Sequence, residues 1–261
     1  MQASENILKI WNQFKHFPME TLTKAWYAKQ NPLKYQRSVE LMKEHYRQYK
    51  ITGNCFDLAI WLLDEFKRNN IEAYAIGHHL FTEDAHIAVI AIDENKYKYL
   101  CDLGDQWIQP ICLDKNSPSS NLEEYIGFFP GAKIQLQHHG NEIEIFYKRP
   151  NGKISRQVFN LNAIDENQLL EAAEFSQRLI KPYPLLESRQ YENEITHWEF
   201  YNFRSFSSSM NGLVEDTKQR TIVEWATIIH EKTSYNFEIL LEVLNYYMKL
   251  QSFNLKSKSN S

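Results

Sequence analysis

The sequence predicts an α+β fold: an N-terminal helical bundle, a central antiparallel β-barrel or strongly curled sheet, and a C-terminal α/β region. Three observations carry this. Apolar residues recur at helical spacing through the first 70 positions, the pattern turns β-rich from Ile71, and helical and strand-like stretches mix after position 164. The predicted organisation is 1–70, 71–163 and 164–261. A chain of 261 residues buries about three quarters of its unfolded surface, so its core needs no covalent staples.

The elements follow in order. Ile7, Leu8, Ile10, Trp11 and Phe14 share helical spacing, with Ser4 in the capping position. Helical stretches are predicted over 20–29 and 36–49. A fourth helix starts near Cys55 and stops at Arg68–Asn70. Its apolar residues, among them Phe56, Leu58, Ile60, Trp61, Leu62 and Phe66, cover most of its circumference, which predicts a central, surrounded helix. Strands are predicted over 71–80, 85–92 and 96–104, with Asp93–Asn95 as a hairpin turn. A polar loop spans 114–121. Two more hairpins turn at His139–Asn141 and Pro150–Gly152. A helix over 165–180, capped by Asp165, precedes strands at 196–207 and 219–228 and a last amphipathic helix over 235–250.

Charge narrows the function classes. Lys and Arg number 29 against 33 Asp and Glu, a formal charge of −4, and no sustained basic block exists. Neither nucleic acid nor an anionic membrane is an expected partner, and the short basic tail from Leu255 reads as a frayed end. Cys55, Cys101 and Cys112 are an odd number without framework spacing, which predicts reduced thiols and a cytoplasmic location. No apolar run reaches the roughly 18 residues of a membrane span, and the N-terminus lacks the pattern of a signal peptide.

Two readings of Cys55 stand side by side. It is a small core residue, or it is a nucleophile whose thiol is acidified by the positive end of a helix, with Gly53 allowing close approach of a substrate. The hairpin downstream bears on the choice. With a three-residue loop at Asp93–Asn95, paired positions sum to 188, so His86 faces Asp102 directly on one face of the sheet. A thiol needs a base, and the base needs an orienting carboxylate. Cys55, His86 and Asp102 supply those roles. The doublets His78–His79 and His138–His139 point to opposite faces of a strand, so no metal site is expected. Trp61, Trp107, Trp198, Phe200, Tyr201, Phe203 and Phe206 read mainly as core, with some of the later ones available to line a pocket. No phosphate-cradling glycine loop or dinucleotide fingerprint occurs.

The stretches "GNCFDL" and "AHIAVIAIDENKYKYLCDLGDQWIQPI" resemble the arylamine N-acetyltransferases over about positions 53–111. That family places a Cys at the start of a central helix, a His opening a strand, and an Asp closing the next in a "VDVG"-like segment, here Leu100–Gly104. The resemblance implies a papain/transglutaminase-like core with an α/β lid. It also implies Cys55 as nucleophile, His86 as base and then acid, and Asp102 as orienter. The implied reaction moves an acyl group from acetyl-coenzyme A or another acyl thioester to a small-molecule amine, with no tightly bound cofactor. The chain departs from the family's Arg-Gly-Gly-x-Cys-x-Glu-x-Asn: Asp57 and Ala59 replace Glu and Asn, the Arg is missing, and Asp105–Gln106 replace Phe-Gly. A carrier-dependent amide synthase, a transglutaminase-like cysteine peptidase or hydrolase, and a non-enzymatic descendant that binds a partner are the alternatives.

Overall fold

The computed structural model describes residues 2–114 and 124–259, so most of the polar loop expected at 114–121 lies outside the described residues. The first 70 residues form α1 (Glu5–Trp11), a 3-10 turn (Asn12–Phe14), the short strand β1 (Met19–Glu20), α2 (Leu22–Ala28), α3 (Val39–Tyr49) and α4 (Cys55–Arg68). Ser4 occupies the cap position of α1 but its hydroxyl makes no capping bond. Ser38 does cap α3, accepting from the Leu41 N–H. As its all-round apolar character predicts, α4 is central: Phe56, Leu58, Trp61, Leu62 and Phe66 are buried, and α1, α3, β2 and β3 pack on it.

Three antiparallel sheets follow. The first has the order β2 (Glu72–His78), β3 (His86–Ile92), β4 (Lys98–Cys101), β5 (Ile111–Cys112). The second is the meander β6 (Tyr125–Phe129), β7 (Ala132–His139), β8 (Glu142–Lys148), β9 (Ile154–Asn160). Among the described residues these ladders stay separate and do not close a barrel, although β9 lies against β2. The third sheet joins the chain's two ends: β1 pairs with β10 (Leu185–Tyr191), followed by β11 (Ile195–Tyr201), β12 (Arg204–Ser209) and β13 (Gly212–Asp216). Helices α5 (Glu166–Arg178), α6 (Ile222–Thr233) and α7 (Phe237–Ser259) complete the fold. One apolar cluster joins Trp11, Phe14 and α4 to the first two sheets. A second joins α2, Trp198 and Phe200 to α6 and α7.

Several expectations need correction. The segment 219–228 is not a strand. Thr221 and Glu224 form a reciprocal capping box, and Trp225, Ala226 and Ile229 then fall on one buried helical face of α6. The segment 196–207 is a hairpin, with Asn202 and Phe203 both at positive φ in the turn between β11 and β12. Strand β10 was not expected, because its buried positions include Ser188 and Arg189. Helix α7 continues past position 250 to Ser259, into the tail read as frayed.

Candidate active site

The site begins with the entry into α4. Asn54 caps the helix, its side-chain oxygen accepting from the N–H groups of Phe56 (3.1 Å) and Asp57 (3.2 Å). Asp57 returns the bond, accepting from the Asn54 N–H at 3.3 Å. Gly53 has φ +142°, and a Cβ there would stand 2.1 Å from Asp57 Oδ2. Only glycine lets the chain enter at this point. The buried Arg37 guanidinium pairs with Asp57 Oδ2 at 3.2 Å and also donates to the Thr52 carbonyl. Gln177 of α5 donates to the same carboxylate at 2.9 Å. Cys55 is therefore the first residue of a helix whose cap is clamped on three sides.

His86 and Asp102 come from the first sheet. His86 is the first residue of β3, and Asp102 directly follows β4. Their register corrects the expected one. Ile92 pairs with Lys98 and Val89 with Cys101, so paired positions sum to 190 and the loop is five residues long, Asp93–Tyr97. The Asp93 carboxylate holds this wider turn by accepting from the N–H groups of Asn95 (2.9 Å) and Tyr97 (2.8 Å). Asp102 thus lies diagonal to His86 and not directly opposite. A slip of two leaves side chains on the same face, and His86 Nε2 reaches Asp102 Oδ2 at 2.8 Å. Cys55 and His86 line one cavity, and both stand against Gly104.

These three side chains meet over the bare Cα of Gly104. A Cβ built there would lie 2.7 Å from Cys55 Cβ, 2.7 Å from His86 Cε1 and 3.3 Å from Asp102 Oδ1. The structure therefore brings all three sequence-predicted residues together. It adds one that sequence reasoning missed. Asp105, at the position of the family's Phe, sits 3.7 Å from His86 Nε2 and accepts from the Tyr147 hydroxyl at 3.1 Å. Its own N–H donates to Asp102 Oδ1 at 3.0 Å, which fixes that carboxylate. A second acid three residues after Asp102 was the only signal.

The electrostatics follow from these contacts. Burial alone would lower the His86 pKa, but the charges of Asp102 and Asp105 and the hydrogen bonds to Asp102 and Cys55 carry it well above 6.5. Burial, aided by the charge of Asp102, pushes Asp105 up to about 6 against the pull of His86. His78 pairs across from His86 with ring centroids 5.6 Å apart, and burial pulls its pKa to about 4, so it stays neutral. His138 and His139 belong to β7. His86, Asp102 and Asp105 bring three ligand atoms within 4.8 Å of one another. A cation there would have to part the 2.8 Å bond between the first two.

A cavity of about 270 Å³ opens onto Cys55 and His86. Its walls include Lys24 from α2, Ser176 from α5, and Tyr183, Leu185 and Tyr201 from the third sheet and the segment leading into it. Of the late aromatic residues, Tyr201 lines it, whereas Trp198 and Phe200 are core.

A cysteine-bearing central helix packed on an antiparallel sheet that carries His and Asp defines the class of fold. Solved structures give it its particular form, that of the arylamine N-acetyltransferases. The Mycobacterium marinum enzyme matches with a TM-score of 0.70 and 10% identity, over 92% of this chain and 90% of that one. The Nocardia farcinica enzyme matches with a TM-score of 0.70 and 13% identity, over 92% and 89%. A Bacillus cereus arylamine N-acetyltransferase, described as having a unique Cys-His-Glu catalytic triad, matches with a TM-score of 0.62 and 13% identity, over 90% and 92%. The M. marinum enzyme in complex with CoA matches with a TM-score of 0.67 and 10% identity, over 88% and 86%. No protein-family model and no curated protein matches the sequence. Among the described residues, no helix is long and apolar enough to cross a membrane.

Proposed function

We propose that the chain is a cysteine acyltransferase. It takes an acyl group from a thioester donor, coenzyme A or a carrier-bound thiol, and passes it through acyl-Cys55 to an amine. The observation that carries this reading is the meeting of Cys55, His86 and Asp102 around Gly104, with the His86 ring held by the buried Asp102 carboxylate at 2.8 Å. With Nε2 held by Asp102, Nδ1 is the nitrogen left for the thiol. His86 takes the thiol proton, and Asp102 orients the ring and stabilises the imidazolium. The thiolate attacks the thioester carbonyl. The new S–C bond forms, the donor's C–S bond breaks, and the departing sulfur takes the proton from His86. In the second half the amine nitrogen attacks acyl-Cys55, His86 accepts its proton, and the proton returns to Cys55 sulfur as that C–S bond breaks.

The tetrahedral oxyanion needs donors. Asn54 occupies the N–H groups of Phe56 and Asp57. The N–H of Cys55, at the positive end of the 14-residue α4, is the first-turn donor left for it. The CoA complex of the M. marinum enzyme supports coenzyme A as the donor here. A walled cavity of about 270 Å³ suits a small amine better than an extended peptide, which favours transfer over peptidase or hydrolase action. Intact-mass measurement after incubation with acyl-coenzyme A and a carrier-thioester mimic tests the proposal. An acyl increment on Cys55, absent in Cys55→Ser, is expected. No adduct from any donor would overturn it, and slow alkylation of an ordinary thiol would then favour a non-enzymatic binding protein.

A further inference from the structure

The cavity carries a charge that the triad does not use. Lys24 lines it, and its ammonium donates to the Ser176 carbonyl at 3.1 Å. Among the described residues Lys24 makes no ion pair. The carboxylates whose charge it feels are engaged elsewhere. Asp57 pairs with Arg37 at 3.2 Å. Glu20 accepts from the Thr23 N–H (2.7 Å) and hydroxyl (2.5 Å) and from the Tyr235 hydroxyl (3.2 Å). The cavity's other lysine, Lys181, stands 3.4 Å from Glu83 and 3.9 Å from Asp84, so its charge is already met. An ammonium has three donors, and a half-buried one with a single carbonyl acceptor and no counter-ion is costly to maintain. Burial, against the opposing charges of Cys55, Asp57 and Glu20, draws its pKa to about 8, which leaves it mostly charged at pH 7.

We propose that the Lys24 ammonium anchors a carboxylate carried by one of the two substrates, so that the Cys55 cavity is built for acidic small molecules. The inference rests on the acyltransferase reading for the word substrate, but the anion site itself does not. The carboxylate belongs either to the acyl chain, away from the thioester, or to the amine. In both cases Lys24 fixes the far end of the molecule while the reacting atom meets Cys55.

Two reagents of nearly equal size test the site without any acyl donor. Iodoacetate and iodoacetamide both alkylate Cys55: the thiolate forms an S–C bond, the C–I bond breaks and iodide leaves. Their rate ratio at Cys55, measured at pH 7, is expected to favour the acid, to fall about tenfold in Lys24→Met, and to return in Lys24→Arg. An unchanged ratio in Lys24→Met overturns the proposal. If that variant does not fold, protection of the unsubstituted protein decides. Benzoate is expected to shield Cys55 from iodoacetamide about tenfold better than benzamide, and equal shielding overturns the proposal. Turnover then locates the carboxylate. Succinyl- against butyryl-coenzyme A reports on the acyl chain, and 4-aminobenzoate against 4-aminobenzamide on the amine. A Lys24-dependent preference within one pair is expected, and preference in neither pair overturns the substrate assignment. A Lys24-dependent alkylation ratio without any thioester adduct would overturn the transferase reading and keep the anion site. A thioester adduct with unchanged ratios would do the reverse.

Discussion

Replacing Gly104 by alanine drives a methyl group into the point where Cys55, His86 and Asp102 meet. The new Cβ would lie 2.7 Å from both Cys55 Cβ and His86 Cε1. Carbon atoms rest at about 3.5–4.0 Å, so each approach is short by about 0.8–1.3 Å. Neither neighbour is the loose end of a flexible chain. Cys55 Cβ is fixed to the capped first turn of α4, and the imidazole is held at 2.8 Å by a fully buried carboxylate. The strain must therefore appear as separation of the His86 ring from Cys55. A displacement near 1 Å costs about a hundredfold in rate, and overpacking costs about 1–3 kcal/mol, or about 2–12 °C in Tm for a domain of this size. Expected for Gly104→Ala is about a hundredfold loss of acyl transfer, slower iodoacetamide alkylation of Cys55, and only a modest drop in Tm. Alkylation by mass spectrometry and a thermal melt read these separately. Turnover and alkylation both within about twofold of the parent would refute the meeting of the three side chains over this glycine.

Three other substitutions probe the supports of the same group. Asp102→Asn should lower acyl transfer by about a thousandfold or more while leaving the far-ultraviolet circular dichroism unchanged; a loss under about tenfold would remove Asp102 from its role. Asp105→Asn removes one of the two charges that raise His86, so the imidazole should titrate at lower pH in NMR; an unmoved titration would refute the coupling across 3.7 Å. The same shift fixes the sign of a stability effect. A histidine raised in the folded state above its unfolded value near 6.5 contributes stability fully present below that pH and lost as pH rises through the folded value. The urea midpoint of the parent relative to His86→Gln should fall over that window. Arg37→Met strands the Asp57 charge, with side-chain exposures of 2% and 1% in the pair. It should cost about 3–5 kcal/mol in urea unfolding, and a loss under about 1 kcal/mol would show that the clamp on the helix cap is not structural.

The order of elements was legible because its signals are local. The helical period around α3 and α4, the Asp165 cap and the turns at Gly140 and Gly152 each need only a few neighbouring residues. Where the reading failed, a local signal was ambiguous or the deciding partner was distant. In 219–228, β-branched Thr221, Ile222, Val223 and Thr227 suggested a strand. The capping box between Thr221 and Glu224 and the burial of Trp225, Ala226 and Ile229 decide for a helix. Strand β10 hid for the opposite reason. Its inward positions include Arg189, whose guanidinium is buried only because the carbonyls of Trp107 and Phe14 accept from it. Those carbonyls lie 82 and 175 residues away in the chain, and no window on the sequence contains them. Arg37 is a similar case, since the charge that pairs with Asp57 comes from a loop 20 positions before it.

His86 and Asp102 still meet although the register differs from the expected one, and the reason is geometric. The sequence favoured a three-residue turn, whereas Asp93 holds a five-residue one through the N–H groups of Asn95 and Tyr97. An error of one residue would have sent Asp102 to the far face of the sheet. An error of two keeps the face and changes only the offset. The diagonal offset falls within the reach of an imidazole and a carboxylate, and it has a chemical consequence. Asp102 lies just beyond the paired end of β4, and its second oxygen accepts from the Asp105 N–H. That bond draws the Asp105 segment under the histidine and sets the second carboxylate 3.7 Å from Nε2. The wider turn and the extra acid are thus linked: the turn sets where β4 ends, and the end of β4 decides which carboxylates His86 can reach.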